Sequence, residues 1–236
     1  MKFKLTVFLG IGIFALVAAF GFVNFCALPQ TSAEEFARDF AAGKNGAPAT
    51  EEGVSGTYNF DKAHSFIGFR VKHMGLIEVP GYFRDFTGTI NYDAKDVSKS
   101  SVEFTTKISS VDTGAEGRNN HLQKPEFFDA AKFPDLTFKS TKVEKKGNGW
   151  MITGDLTIRD VTKQISFPFN IAGFVEQRGG MRMGVTAETT INRRDFGVNY
   201  GGNMPNGMAM ISDDIKVGLQ IEAGMQKKEE AAMDKK

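Results

Sequence analysis

The side chains of this chain that could do chemistry are few and scattered. Three histidines, His64, His73 and His121, stand on separate segments, and the single cysteine is Cys26. No HExxH, no CxxC and no close histidine pair is present, so the spacings that gather metal ligands are missing. His64 and Ser65 are neighbours, but adjacent residues of a regular strand point to opposite faces and cannot form a nucleophile–base pair. Structural hydrogen bonding is the plainer role for His64 and His121. Arg118, Arg193, Arg194 and Asp195 offer a second possibility, because the planar fork of an arginine suits bidentate contacts with an anionic group such as a pyrophosphate. The competing role is an Arg–Asp pair that pins a long connection to the body of the fold, and this is the favoured one. The loop Asn199-Tyr200-Gly201-Gly202-Asn203 has two glycines of a phosphate cradle but not its strand–loop–helix setting. These residues describe a binding protein and not an enzyme, with no catalytic residue, no metal site and no catalytic cofactor.

The ends of the chain bound where such a protein works. Lys2 and Lys4 precede an uncharged stretch from Leu5 to Leu28, the layout of an export signal. Cleavage fits after Val17-Ala18-Ala19 or after Thr31-Ser32-Ala33, and a retained anchor fits as well, since about 20 apolar residues span a bilayer. Each outcome places the folded part outside the cytoplasm, and a retained anchor would hold it beside the membrane. Cys26 follows the bulky Phe25, which disfavours lipid attachment, and a lone cysteine allows no disulfide within the domain. The expected organisation is a signal or anchor over 1–33, a linker over 34–55, one folded domain over 56–224 and a charged tail over 225–236. The net charge of +1, with acids and bases interspersed, carries no nucleic-acid footprint.

The folded part alternates with period two. Ile67, Phe69 and Val71 share a face, as do Val102, Phe104, Thr106 and Ile108. The pattern recurs at Leu136/Phe138, Leu156/Ile158, Ile165/Phe167/Phe169/Ile171, Met181/Met183/Val185/Ala187 and Ile215/Val217/Leu219/Ile221. Such runs are antiparallel strands with one dry and one wet face. About eight are expected, and the one clear helical candidate is Ala115–Gln123, in a long crossing between strands, with a short helix possible ahead of the domain around Glu34–Ala42. With no amphipathic helices to cover a sheet, the dry faces must meet in a sandwich or in a closed barrel. Segments such as Tyr82–Tyr92, Val102–Val111 and Ile165–Phe174 would build a wall about 30 Å tall, which favours a deep barrel. The 22 phenylalanines and ten methionines supply apolar area without hydrogen-bonding demands, suited either to a hydrocarbon ligand or to a plainly filled core. A filled core would make the domain an interaction module with a protein partner, yet the wet faces of Lys, Glu, Thr, Arg and Ser show no apolar patch for one.

Five ordered strings go further. Asp61-Lys62-Ala63-His64-Ser65-Phe66-Ile67-Gly68-Phe69, Gly81-Tyr82-Phe83-Arg84-Asp85-Phe86-Thr87-Gly88 and Arg118-Asn119-Asn120-His121-Leu122 resemble the opening, second strand and helix of the YceI-like domain. Gly154-Asp155-Leu156-Thr157-Ile158 and Asn192-Arg193-Arg194-Asp195-Phe196-Gly197-Val198 resemble its later signatures, so the similarity runs from about Thr57 to Ala223. Asn119 stands where the resemblance leads one to expect an acid. The resemblance implies an all-β, extended eight-stranded antiparallel lipocalin-like barrel of bacterial envelopes that binds polyisoprenoid chains, including those of isoprenoid quinones, in its pore. The dry-face residues that would line that pore are Ile67, Phe69, Val71, Phe104, Ile108, Phe138, Leu156, Ile158, Phe167, Phe169 and Met183.

Overall fold

Residues 52–177 and 180–226 are described by a computed structural model. The N-terminal apolar segment, the stretch up to 51, the Arg178-Gly179 pair of one predicted turn and the chain from 227 onward lie outside the described residues. The strands are β1 (Gly56–Phe60), β2 (Phe66–His73), β3 (Ile77–Phe83), β4 (Phe86–Tyr92), β5 (Ser101–Lys107), β6 (Val111–Asp112), β7 (Asp135–Lys146), β8 (Gly149–Ile158), β9 (Val161–Gln177), β10 (Gly180–Asn192) and β11 (Ile211–Met225). Helix α1 covers Glu116–Leu122, within the predicted span. Every pairing is antiparallel, and β11 meets both β1 and β2, which closes the sheet.

The eleven segments make eight walls, because β1/β2, β3/β4 and β5/β6 are each one strand broken once. Two stretches read as continuous from the sequence are therefore interrupted, Tyr82–Tyr92 at Arg84-Asp85 and Val102–Val111 by a 3-10 turn at Ile108–Ser110. The breaks lie side by side. Arg84 N–H donates to Ser110 O at 3.1 Å, Lys107 N–H to Asp85 O at 2.8 Å, and the buried Thr106 hydroxyl to Asp85 O at 3.1 Å. Backbone groups freed by the kinks are thus paired with one another, as burial demands. The other walls run long, and β11 continues through Met225, one residue into the segment read as tail.

Alternation then decides what faces inward. Buried Ile67, Phe83, Phe86, Phe138, Leu156, Ile158, Phe167, Met183 and Ile221 all project into the barrel, while Lys and Thr side chains fill the gaps outside. The end near Gly56 is closed by aromatic rings. Tyr58, fully buried, sits edge-on to Tyr92 and to Phe174 at 6.4 Å each, and Tyr92 meets Phe174 at 5.0 Å. The Tyr58 hydroxyl donates to Val54 O at 2.6 Å, which satisfies its one polar group.

Candidate functional site

The interior is hollow in two parts. The larger cavity, about 350 Å³, lies toward the end that carries α1 and the loop over 199–210; the smaller, about 80 Å³, lies toward the Tyr58 floor. Ile67, Phe104, Phe138, Phe167 and Leu219 line both, so they form a waist between them. The waist is largely aromatic, with Phe104 stacked on Phe138 at 5.6 Å and Phe138 against Phe167 at 5.5 Å. Cross-strand pairing puts these rings together: Phe104 faces Phe138 between β5 and β7, and Ile152 faces Phe167 between β8 and β9.

Of the eleven pore residues proposed from sequence, Ile67, Phe69 and Val71 on β2 line the larger cavity, together with Phe104, Phe138, Leu156, Ile158 and Phe167. Phe169 and Met183 line the smaller one. Ile108 lines neither. The strand containing Phe104 stops at Lys107, and Ile108 enters the 3-10 turn, where its side chain is packed fully into the core. Several lining residues were absent from that set. Ile215, Val217 and Leu219 follow the alternation and were legible there, whereas Phe127, Phe128 and Tyr200 come from connections that carry no period. Gly81 opposite Phe69 is a matter of space, since a Cβ there would lie 2.2 Å from the Phe69 ring.

The polar residues near the cavity mouth are occupied with holding loops. Arg193, buried to 6 % exposure, donates to Ser212 O at 3.0 Å, to Val198 O at 2.7 Å and to Asp213 at 2.8 Å. Burial pushes its guanidinium below the usual arginine range. The Arg–Asp pairing expected from sequence is real, but the acid is Asp213, shared with Arg194 at 2.7 Å, and the element pinned is the loop between β10 and β11. The long crossing is held instead by Arg159, which donates to Phe127 O at 3.2 Å and Gly197 O at 2.9 Å. Arg118 donates to Thr113 Oγ1 at 2.8 Å and Thr113 O at 2.6 Å, while Asn119 Oδ1 accepts from the Thr113 N–H and hydroxyl. Asn119 supplies the acceptor oxygen there that an acid would also supply. The His121 ring stands edge-on to Phe127 and Tyr200, at 5.0 and 4.9 Å, and its Nε2 lies 3.1 Å from Glu126.

His64 and Ser65 sit in the break between β1 and β2 and not in a strand, so the geometric reason for their separation changes. Ser65 Oγ donates to Glu222 O and accepts from Glu222 N–H, and the His64 ring turns to Asp61 at 3.1 Å. Asp61, His64 and Glu222 are the acid–histidine group among the described residues that converges closely enough for a cation. Arg182 already supplies that cation, with Nη1 at 2.6 Å from Asp61 and 2.7 Å from Glu222. The Arg182 hydrogen bond, then that of His64, lowers the Asp61 carboxyl to about 2. Above its unfolded pKa, near 4, Asp61 is charged in both states and this contribution is complete; it is lost as pH falls through about 2. Thermal melts should therefore show the wild type losing about 1–2 kcal/mol more than Asp61→Asn between about pH 4 and pH 2. Parallel melting curves for the two proteins would mean that Asp61 titrates like an ordinary carboxyl.

The comparisons with known proteins agree with this geometry. Residues 58–223 match the model of the YceI-like domain. The YceI protein of Salmonella arizonae is 36% identical over 181 residues, covering 75% of this chain and 92% of that protein. The crystal structure of the Campylobacter jejuni YCEI protein superposes with a TM-score of 0.57 at 34% identity, over 71% of this chain and 96% of the other. A polyisoprenoid binding domain from Saccharophagus degradans shares the fold, with a TM-score of 0.54 at 16% identity over 72% of this chain and 98% of that one. With its closed eight-walled barrel, the ordered strings of its sequence and these likenesses, the chain belongs to the YceI-like domain family.

Proposed function

We propose that this domain holds the hydrocarbon chain of a polyisoprenoid, such as an isoprenoid quinone or a polyprenyl phosphate, inside the barrel and outside the cytoplasm. One observation carries the reading: a cavity lined by aliphatic and aromatic side chains, floored by Tyr58, Tyr92 and Phe174 and reached from the opposite end. The Saccharophagus degradans domain with the same fold is a polyisoprenoid binding domain, which supports the same ligand class here. Size gives the scale. At ~30 Å³ for each water-sized group, the larger cavity takes about a dozen carbon atoms, or two to three isoprene units. Their burial amounts to about 9 kcal/mol of transfer free energy before the cost of immobilisation, enough to hold a chain without a strong head-group contact. A longer chain passes the aromatic waist into the smaller cavity or leaves its head at the mouth. Arginines engaged as loop fasteners are consistent with a grip on the tail and not on a charged head.

The test is native mass spectrometry of the full chain, expressed with export, purified without detergent and then extracted with organic solvent. A stoichiometric adduct that extracts as a polyprenyl compound is the expected result. A bare mass that stays unchanged after addition of a polyprenyl quinone would replace this reading with a surface interaction module.

A further inference from the structure

The inner face of the wall does not stop at the rim of the cavity. Ile67, Phe69, Val71 and His73 on β2 pair with Phe83, Gly81, Val79 and Ile77 on β3, so Ile77 continues the inward-facing row one layer beyond Val79. It is 64% exposed there, and Leu76, beside it in the turn, is 76% exposed. Met74 and Gly75 both have positive φ, 51° and 71°, and Leu76 N–H donates to His73 O at 3.0 Å, which makes a tight three-residue hairpin tip over 74–76. That tip is fastened to the loop before β11 by Met74 N–H to Met210 O at 2.9 Å. A Cβ on Gly75 would lie 2.8 Å from the Met208 methyl, so the two segments touch. Met208 and Met210 are also exposed, and His73, Tyr200 and Met210 line the cavity itself. The lip of the cavity is therefore a cluster of large apolar side chains in water, where the sequence had shown no patch at all.

The charges around the tip favour one kind of cover. Arg70, Lys72 and Lys216 flank it with Glu78, which is paired with both Arg70 and Lys216, while Asp213 and Asp214 at the start of β11 stand beside Arg193 and Arg194, so that cations outnumber acids by five to three. A small apolar tip with a basic collar is the pattern of a segment that enters an anionic lipid interface. A partner protein would require a broader apolar face than one hairpin tip and two methionines provide. We propose that this lip is a membrane-docking surface: Leu76, Ile77, Met208 and Met210 enter the acyl layer of an anionic bilayer and set the cavity mouth against it. The isoprenoid then passes between bilayer and barrel without crossing water. The inference rests on the polyisoprenoid reading for its cargo, but the lip itself is tested separately.

The experiment places a tryptophan at the tip of the full chain, Leu76→Trp in a Trp150→Phe background, where it is the sole tryptophan. A matched protein carries Val175→Trp, an exposed site on β9 near the floor end. Both are mixed with vesicles of brominated phosphatidylcholine and phosphatidylglycerol in equal parts. The tip tryptophan is expected to shift to the blue and lose most of its emission, the floor-end tryptophan to keep its own, and Lys72→Glu to weaken the quenching at the tip. The Val175→Trp control removes any contribution of the N-terminal apolar segment, which would bring both proteins to the vesicle alike. Equal quenching at both sites, or none at the tip, overturns the docking surface, and a protein partner seated on the lip would give the second result. Organic extraction of the same preparations separates the two claims. A loaded protein with an unquenched tip defeats the lip alone, and a quenched tip on a protein that never takes up polyprenyl quinone defeats the cargo.

Discussion

The Phe104→Asp variant is expected to purify with no extractable isoprenoid. Phe104 lies on β5 opposite Phe138, stacks on it at 5.6 Å and lines both cavities, so any chain that threads the interior must pass it. A carboxylate there sits among Ile67, Phe167 and Leu219, and the arginines on the lining of the larger cavity, Arg118 and Arg193, are already engaged with loop acceptors. Ionised and unpaired, it costs several kcal/mol and draws water into the waist, removing the apolar environment that holds the hydrocarbon. Phe104→Leu keeps that environment and should retain the ligand. A gentler companion is Gly81→Ala, whose added methyl must displace the Phe69 ring from its place across the strand pair, narrowing the larger cavity without adding charge. The measurement is adduct occupancy by native mass spectrometry, with circular dichroism to show that each variant is folded. Full occupancy in a folded Phe104→Asp protein would place the ligand outside the barrel.

The second large effect is on stability. Arg193→Met should lower stability by about 3 kcal/mol, because two carbonyl oxygens, Val198 O and Ser212 O, lose their donor together with the carboxylate of Asp213. For a domain of this size that corresponds to a fall of roughly 6–12 °C in Tm. Methionine fills much of the volume of the arginine stem, so the loss reports the hydrogen bonds more than a cavity. Because those bonds fasten the loop that carries Tyr200, Met208 and Met210, proteolysis within 199–210 should quicken in the same variant before global unfolding. An unchanged Tm would mean that water replaces the guanidinium at all three acceptors.

The aromatic waist has a further consequence for any long ligand. Phe104, Phe138 and Phe167 separate two spaces of about 350 and 80 Å³, and the smaller is bounded by the Tyr58 floor. The rings belong to β5, β7 and β9 of a closed sheet, so they can move only by changing rotamer within the barrel, not by spreading its walls. Chain length is then limited by how far those rings turn and by how much of the ligand remains at the mouth.

Much of this arrangement is decided by the sequence alone. A strand with one dry face has a period of two, and Ile67/Phe69/Val71, Phe138, Leu156/Ile158 and Phe167 could face only the inside of whatever the sheet enclosed. The absence of amphipathic helices left only sheet against sheet or sheet closed upon itself, and α1 was visible because it interrupts that period. The tertiary structure decided what period alone does not encode. Ile108 shares the alternation of Phe104, yet the chain turns one residue before it, since a wall that bends must break its ladder and the freed groups at Asp85, Lys107 and Ser110 find one another only in three dimensions. His64 and Ser65 owe their separation to the same kind of break and not to strand geometry. Arg159 lies in a hairpin with nothing local to mark it, and its partners are the carbonyls of Phe127 and Gly197, distant in sequence. The lip of Leu76, Ile77, Met208 and Met210 joins two segments more than a hundred residues apart. Period assigns each residue a face; only the closed barrel decides whether that face meets a wall, a cavity or water.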